Sequence, residues 1–281
     1  MTPLDYCKQK VAHSGSNFVI SFRFLPKAKR EAMLVLYAFC REVDDVVDTC
    51  SDPNVAQTTL NWWRGQLAAV YDGQPDHPVC QALQPIVAAF ELPQSEFSAI
   101  IDGMQMDLQQ ARYGTFAELS TYCQRVAGAV GRLSVRVFGF TDPKTLDFAD
   151  QLGLALQMTN IIRDVGEDAR LGRIYLPVTE LQQFNVPAQN ITGCVGGPEF
   201  ADLMRFQVER AKGLYQTALA TLPAADAKAQ KTGLIMAAVY HALLLEIDAD
   251  GPENVLRHKI KLPGLRKARI ALKVWLSGFK P

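Results

Sequence analysis

Apolar residues recur at helical spacing along nearly the whole chain. Glu31 to Val47 (EAMLVLYAFCREVDDVV) contains no Gly or Pro and keeps its apolar side chains three and four apart. Leu60 to Tyr71, Glu96 to Tyr113, Phe116 to Phe138, Asp147 to Val165, Phe200 to Leu222 and Lys231 to Asp248 carry the same period. Proline and glycine mark the breaks, at Pro26, Ser51-Asp52-Pro53, Gly73 to Pro78, Pro93, Gly139 to Pro143, Pro177, Pro187 and Gly196-Gly197-Pro198. No alternating run is long enough to nominate a sheet, and no repeat or low-complexity linker divides the chain. The pattern predicts an all-α fold, a single domain over 1–281, built from roughly eight to ten helices.

Composition narrows the class. Hydrophobic residues are 48% and charged residues 21% of 281, which is enough apolar material for a sizeable core. Lys plus Arg and Asp plus Glu are both 29, so no nucleic-acid partner is expected. Cys7, Cys40, Cys50, Cys80, Cys123 and Cys194 form no C-x-x-C pair and read as reduced thiols. Met1 to Lys10 is polar and resembles no export signal, so a cytoplasmic location is expected. Gly233 to Ile247 is interrupted by Tyr240, His241 and Glu246 and reads as a buried helix. The charge is unevenly placed. From Arg257 onward there are eight Lys or Arg (257, 259, 261, 266, 267, 269, 273, 280) and no Asp or Glu. Interleaved leucines make this tail either a solvated helix or a peripheral contact with the inner face of the cell membrane.

Two acidic clusters interrupt the apolar helices. In Asp44-Asp45-Val46-Val47-Asp48, Asp44 and Asp48 sit four apart and share a face, together with Tyr37 and Arg41. In Asp164-Val165-Gly166-Glu167-Asp168 the spacing repeats, and Gln157 and Asn160 extend that face upstream, with Arg163 adjacent. Like charges at this spacing repel, so two such pairs in apolar surroundings call for a cation. Carboxylates with amide helpers suit Mg²⁺, which binds through a few carboxylates plus phosphate oxygens and water. Arg41, Arg163 and Arg173 would hold the same phosphates. The bland alternative for either cluster alone is a solvated helix face.

These residues carry a family resemblance. YAFCREVDDVVD (37–48) and QMTNIIRDVGEDARLGRIYLP (157–177) resemble the two aspartate-rich signatures of the squalene/phytoene synthase family. GSNF (15–18) with FRFLP (22–26) is similar to its N-terminal Ser-rich loop, with Asn17 where Ser is usual. IIDGMQMDL (100–108), YCQRVAGAVGRLSVRVFG (122–139) and Tyr240 with Arg257 also fit. CREVDD, WWRGQL and GLIMAAVY most resemble the bacterial presqualene diphosphate synthases of hopanoid biosynthesis.

The resemblance implies an isoprenoid-synthase helical bundle with a central apolar cavity, and a Mg²⁺-dependent prenyltransferase. Two farnesyl diphosphates would join head to head. One diphosphate leaves, the double bond of the second farnesyl group attacks the allylic cation, and proton loss closes a cyclopropane. By that likeness Asp44, Asp48, Asn160, Asp164 and Asp168 would hold metal, with Asp45 and Glu167 in support. Ser14, Gly15, Ser16, Asn17, Tyr37, Arg41, Gln157, Asn160, Arg163, Tyr240 and Arg257 would hold substrate. Tyr37 and Tyr122 would line the site and orient the proton loss. Phe18, Phe22, Leu133, Val137 and Leu156 are candidate tunnel walls. Ala127, Gly128, Ala129 and Gly131 suit either a tail or close helix packing. Transfer of product to downstream squalene-pathway enzymes is a further expectation. The alternatives are a phytoene or dehydrosqualene synthase, and a non-catalytic helical assembly factor.

Overall fold

The computed structural model describes residues 1–13, 19–50, 52–109 and 112–279. Within them lie α1 (Pro3–His13), α2 (Val19–Phe22), α3 (Lys27–Thr49), α4 (Pro53–Asp72), α5 (Pro78–Ala89), α6 (Gln94–Gln109) and α7 (Phe116–Cys123). A π-turn over Gln124–Gly128 leads into α8 (Ala129–Phe138). Then follow α9 (Lys144–Arg170), α10 (Val178–Gln183), α11 (Ala188–Thr192), α12 (Pro198–Thr221), α13 (Lys231–Asp250), a 3₁₀ turn over Pro252–Leu256 and α14 (Gly264–Ser277). The fold is all-α, and buried residues from Cys7 to Val274 form one contiguous core.

Local chemistry accounts for several boundaries. Asp52 caps α4 by accepting from Asn54 N at 2.8 Å, with Pro53 in the first turn where no backbone donor is needed. Thr115 caps α7 through Glu118 N, and the Glu118 carboxylate accepts from Gly114 N at 2.9 Å. Buried Asp226 fixes the start of α9. It accepts from Asp142 N, from Thr141 N and Oγ1, and from Thr145 Oγ1 at 2.7–3.0 Å. These donors, the Asp142 backbone first, hold its carboxyl down at about 2.

Two expectations change. The helix predicted to reach Tyr113 ends at Gln109, because the chain turns to strap against the segment after α9. Arg112 bridges Ile174, and Val178 N and Thr179 N donate to the carbonyls of Tyr113 and Gly114. The run from Phe116 to Phe138 is broken by the π-turn, where α9 approaches closely. A Cβ on Gly153 would fall 2.8 Å from the backbone of Ala127 and Gly128. The small residues of this run therefore serve close helix packing, although Ala127 and Gly131 also border the cavity described below. The short α2, α10 and α11 escape prediction because four to six residues show no period.

α13 is the one helix among the described residues that is long and apolar enough to cross a membrane by length and composition. It packs against α9, α12 and α14, and 61% of its most apolar stretch is buried in the protein.

Candidate active site

α3 and α9 face each other across an apolar cavity. α3 contributes Met33, Leu36, Tyr37 and Cys40 to its wall, and α9 contributes Ala149, Leu152, Gly153, Leu156, Gln157 and Asn160. The π-turn and α8 close one side through Val126, Val130 and Val135. Phe22 and Phe138 stand with Met33 at the rear, and Gly233 and Met236 of α13 complete the lining. From Ala149 to Asn160 the wall runs about 16 Å along α9.

Both acidic clusters lie beyond the polar end of this cavity, in the last turns of α3 and α9. A third helix, α6, delivers Asp107 to the same pole from its own last turn. Helix C-termini carry partial negative charge, so backbone dipoles add to the carboxylates. The loop after α9 ties the three ends together. Arg173 N donates to Asp168 O at 2.8 Å, which turns the chain back. The Arg173 guanidinium then reaches Asp48 at 2.8 Å and Val47 O at 3.2 Å on α3, with Asp107 at 3.7 Å.

The pole is crowded with negative charge. Burial first, then Asp48, Asp45 and Asp107, pushes Asp44 up to about 6, although Arg41 pairs with it at 2.5 Å. Burial, Asp164, Asp107 and Asp48 push Asp168 up to about 7. Burial likewise raises Asp107, against the phenol of Tyr175 that donates to it at 2.7 Å. Asp164 goes the other way. Burial opposes its ionisation, but Arg163 and Lys259 donate to it and hold it below the usual carboxylate value.

Most of the sequence-predicted residues converge here. Tyr37, Gln157 and Asn160 line the mouth of the cavity. Arg163 lies between Asp164 and buried Tyr240, with hydrogen bonds to both. Arg41 pairs with Asp44 and Asp45, and Lys10 of α1 reaches Asp45 at 2.8 Å and Glu42 at 3.1 Å. Phe22 and Leu156 are wall residues, whereas Leu133 and Val137 are buried in the core outside the lining. Ser14, Gly15, Ser16, Asn17 and Phe18 lie outside the described residues.

Two predicted residues sit elsewhere. Arg257 is exposed and borders a separate surface depression with Gly196, Gly197 and Pro198. Of this basic segment it is Lys259 that reaches the acidic end of α9, 2.9 Å from Asp164 and 2.5 Å from Glu167. Gly166 makes that approach feasible. A Cβ there would stand 2.4 Å from Val255 O, so only glycine lets the 3₁₀ turn lie on α9, where Arg170 donates to Leu256 O at 2.9 Å. Tyr122 is not in the cavity wall. It is buried behind Asp107, ring to ring with Tyr113 at 5.4 Å and Tyr175 at 5.6 Å. Burial holds its phenol well above the ordinary value, so it stays protonated.

The donor set suits a hard cation. It offers carboxylate oxygens together with Asn160 Oδ1, which is buried and has no hydrogen-bond partner among the described residues. Among the described residues no three acidic, histidine or cysteine side chains converge on one point. Such an open set fits an ion that keeps water and phosphate oxygens in its shell, as Mg²⁺ does.

An all-α bundle with acid at one pole of a greasy cavity defines the class of protein, and comparison with known proteins agrees. The family model described as squalene/phytoene synthase matches residues 11–266. The chain is 38% identical over 251 residues to the presqualene diphosphate synthase of Rhodopseudomonas palustris, covering 89% of each. It is 38% identical over 227 residues to a phytoene synthase of Arthrospira platensis, covering 76% of this chain and 74% of that one. The crystal structure of a dehydrosqualene synthase superposes with a TM-score of 0.86 at 26% identity, over 99% of this chain and 97% of that one. The chain belongs to the squalene/phytoene synthase family of prenyltransferases.

Proposed function

We propose that this chain is a presqualene diphosphate synthase that condenses two farnesyl diphosphates head to head. The observation that carries the proposal is that the acidic C-terminal ends of α3, α6 and α9 lie together at the mouth of an apolar cavity, linked by Arg173. The segments CREVDD, WWRGQL and GLIMAAVY favour this member of the family, and a presqualene diphosphate synthase and a phytoene synthase are both 38% identical to the chain.

Asp44, Asp48, Asp164 and Asp168, with Asn160 Oδ1, would hold Mg²⁺. When bound, Mg²⁺ supplies Lewis-acid chemistry that makes diphosphate a better leaving group. Arg163 and Tyr240 orient one diphosphate, and Arg41 and Lys259 shift from their carboxylates toward the phosphate oxygens. The apolar walls keep water from the allylic cation until the second double bond attacks it. A protonated phenol is a poor base, so Tyr122 is left to support Asp107 through Tyr175. The departing diphosphate then accepts the cyclopropane-closing proton.

Incubation of the purified protein with Mg²⁺ and either farnesyl or geranylgeranyl diphosphate, the farnesyl arm with and without NADPH, tests this directly. Presqualene diphosphate from farnesyl diphosphate, whether or not NADPH is present, is the expected product. Phytoene from geranylgeranyl diphosphate, with little C30 product, would favour the second reading, which the phytoene synthase relative supports. Squalene or dehydrosqualene would also contradict the assignment.

A further inference from the structure

α14 presents two opposed apolar faces. Ala271 and Val274 are buried where the helix packs on α13. On the far side Leu265, Leu272 and Leu276 are 84%, 54% and 75% exposed. They are spaced seven and four apart and so form one stripe, about 16 Å long. Arg266, Arg269 and Lys273 flank the stripe, and with Leu272 and Leu276 they border an open depression. From Arg257 to the end of the chain there is no acidic residue. Among the described residues Glu246 of α13, 2.5 Å from Arg266, is the acid paired with this flank. On the other flank Trp275 stacks on Phe24 at 5.1 Å. Phe24 and Trp275 border a second depression, whose wall includes Phe138, a residue that also lines the cavity.

We propose that the outer face of α14 is a docking surface for an anionic lipid bilayer. Exposed leucines are costly in water and cheap at an acyl boundary, while flanking Arg and Lys meet headgroup phosphates. A short helix with an exposed leucine stripe and a basic shoulder matches that boundary in both polarity and charge. Docking through this face sets the rear of the apolar cavity beside the lipid. The inference rests on the proposed prenyl transfer only for its purpose, since a C30 isoprenoid is itself a lipid. Binding to lipid does not depend on turnover.

The test uses the full chain in flotation with vesicles of phosphatidylcholine alone and of phosphatidylcholine with phosphatidylglycerol. Wild type should float with the anionic vesicles and stay behind with the neutral ones. Leu265→Gln/Leu272→Gln/Leu276→Gln should weaken that partition about tenfold or more. Arg269→Gln/Lys273→Gln should weaken it about thirtyfold at low salt. Helical circular dichroism and turnover of soluble farnesyl diphosphate should match wild type in both variants. Variants that float as well as wild type would overturn the proposal. So would a wild-type dimer in sedimentation that the leucine variant dissolves without any vesicle binding, because the face would then join copies of the chain. Loss of flotation in the variants of a chain that makes no isoprenoid product would leave the surface standing and remove the enzymatic assignment instead.

Discussion

The acidic ends of α3 and α9 share a spacing but not a charge balance. On α9, Asp164 has two cations, Arg163 and Lys259, and ionises readily. One turn further on, Asp168 has no cation at ion-pair distance among the described residues and is pushed up to about 7. On α3, Arg41 is shared between Asp44 and Asp45, Lys10 supports Asp45, and Arg173 supports Asp48. Asp44 still rises to about 6. Fixed cations thus satisfy part of each cluster and leave one carboxylate per helix short of positive charge. Within each cluster, those two carboxylates leave the most negative charge for an external cation to neutralise.

The largest effect should come from removing either helix's contribution. Asp44→Ala and Asp164→Ala should each lower turnover by about 10²–10³-fold while the helical circular dichroism stays intact. A variant with wild-type rates would take that residue out of the metal-binding set. Gly166→Ala is expected to act on α9 alone. The new methyl group would force the 3₁₀ turn off the helix, with a loss of about 1–3 kcal/mol in stability by thermal or denaturant unfolding. An unchanged midpoint would mean that the contact at Val255 is not tight. Lys259 and Arg257 can be separated kinetically. Lys259→Ala should raise the KM for farnesyl diphosphate up to about tenfold, and Arg257→Ala should change it little. The reverse order would restore Arg257 to the substrate site.

The smallest effect sharpens the comparison most. Asp44 and Asp168 titrate above the ordinary carboxylate value of 3.8, so the folded chain holds these protons more tightly than the unfolded one. Their contribution to stability is fully present below about pH 4 and is lost as pH rises through about 6 and 7. Without divalent cations, Asp168→Asn should therefore raise the melting temperature at pH 8 and leave it nearly unchanged at pH 4. The expected gain is about 2–4 °C per kcal/mol relieved. A lower melting temperature at pH 8 would show that Asp168 is already compensated.

How far the sequence discloses this arrangement depends on whether a residue's company is local. Asp44, Asp48, Asp164 and Asp168 announce themselves because each has a like partner one helical turn away. Asp107 has none. It lies among Met104, Met106 and Leu108, and only the meeting of three helix C-termini gives it a role. Its one sequence signal is the segment IIDGMQMDL. Lys259 is equally obscure within Arg257-His258-Lys259, because the 3₁₀ turn over Gly166 decides which cation faces α9. Tyr122 errs in the opposite direction. Its motif match is sound, but the π-turn and the packing of three tyrosines place it behind the site rather than in it. The long helices are legible from period alone, whereas breaks such as Gln109 and Gln124–Gly128 come from contacts with distant segments.

The central claim is that α3 and α9 act together on one magnesium-loaded diphosphate. Thermal stabilisation by Mg²⁺ with inorganic pyrophosphate, measured on wild type, Asp44→Asn and Asp168→Asn, tests it without any turnover. Wild type should melt higher only when both are present, and each variant should lose most of that increment. A full increment in either variant would contradict the account, because one helix end would then suffice.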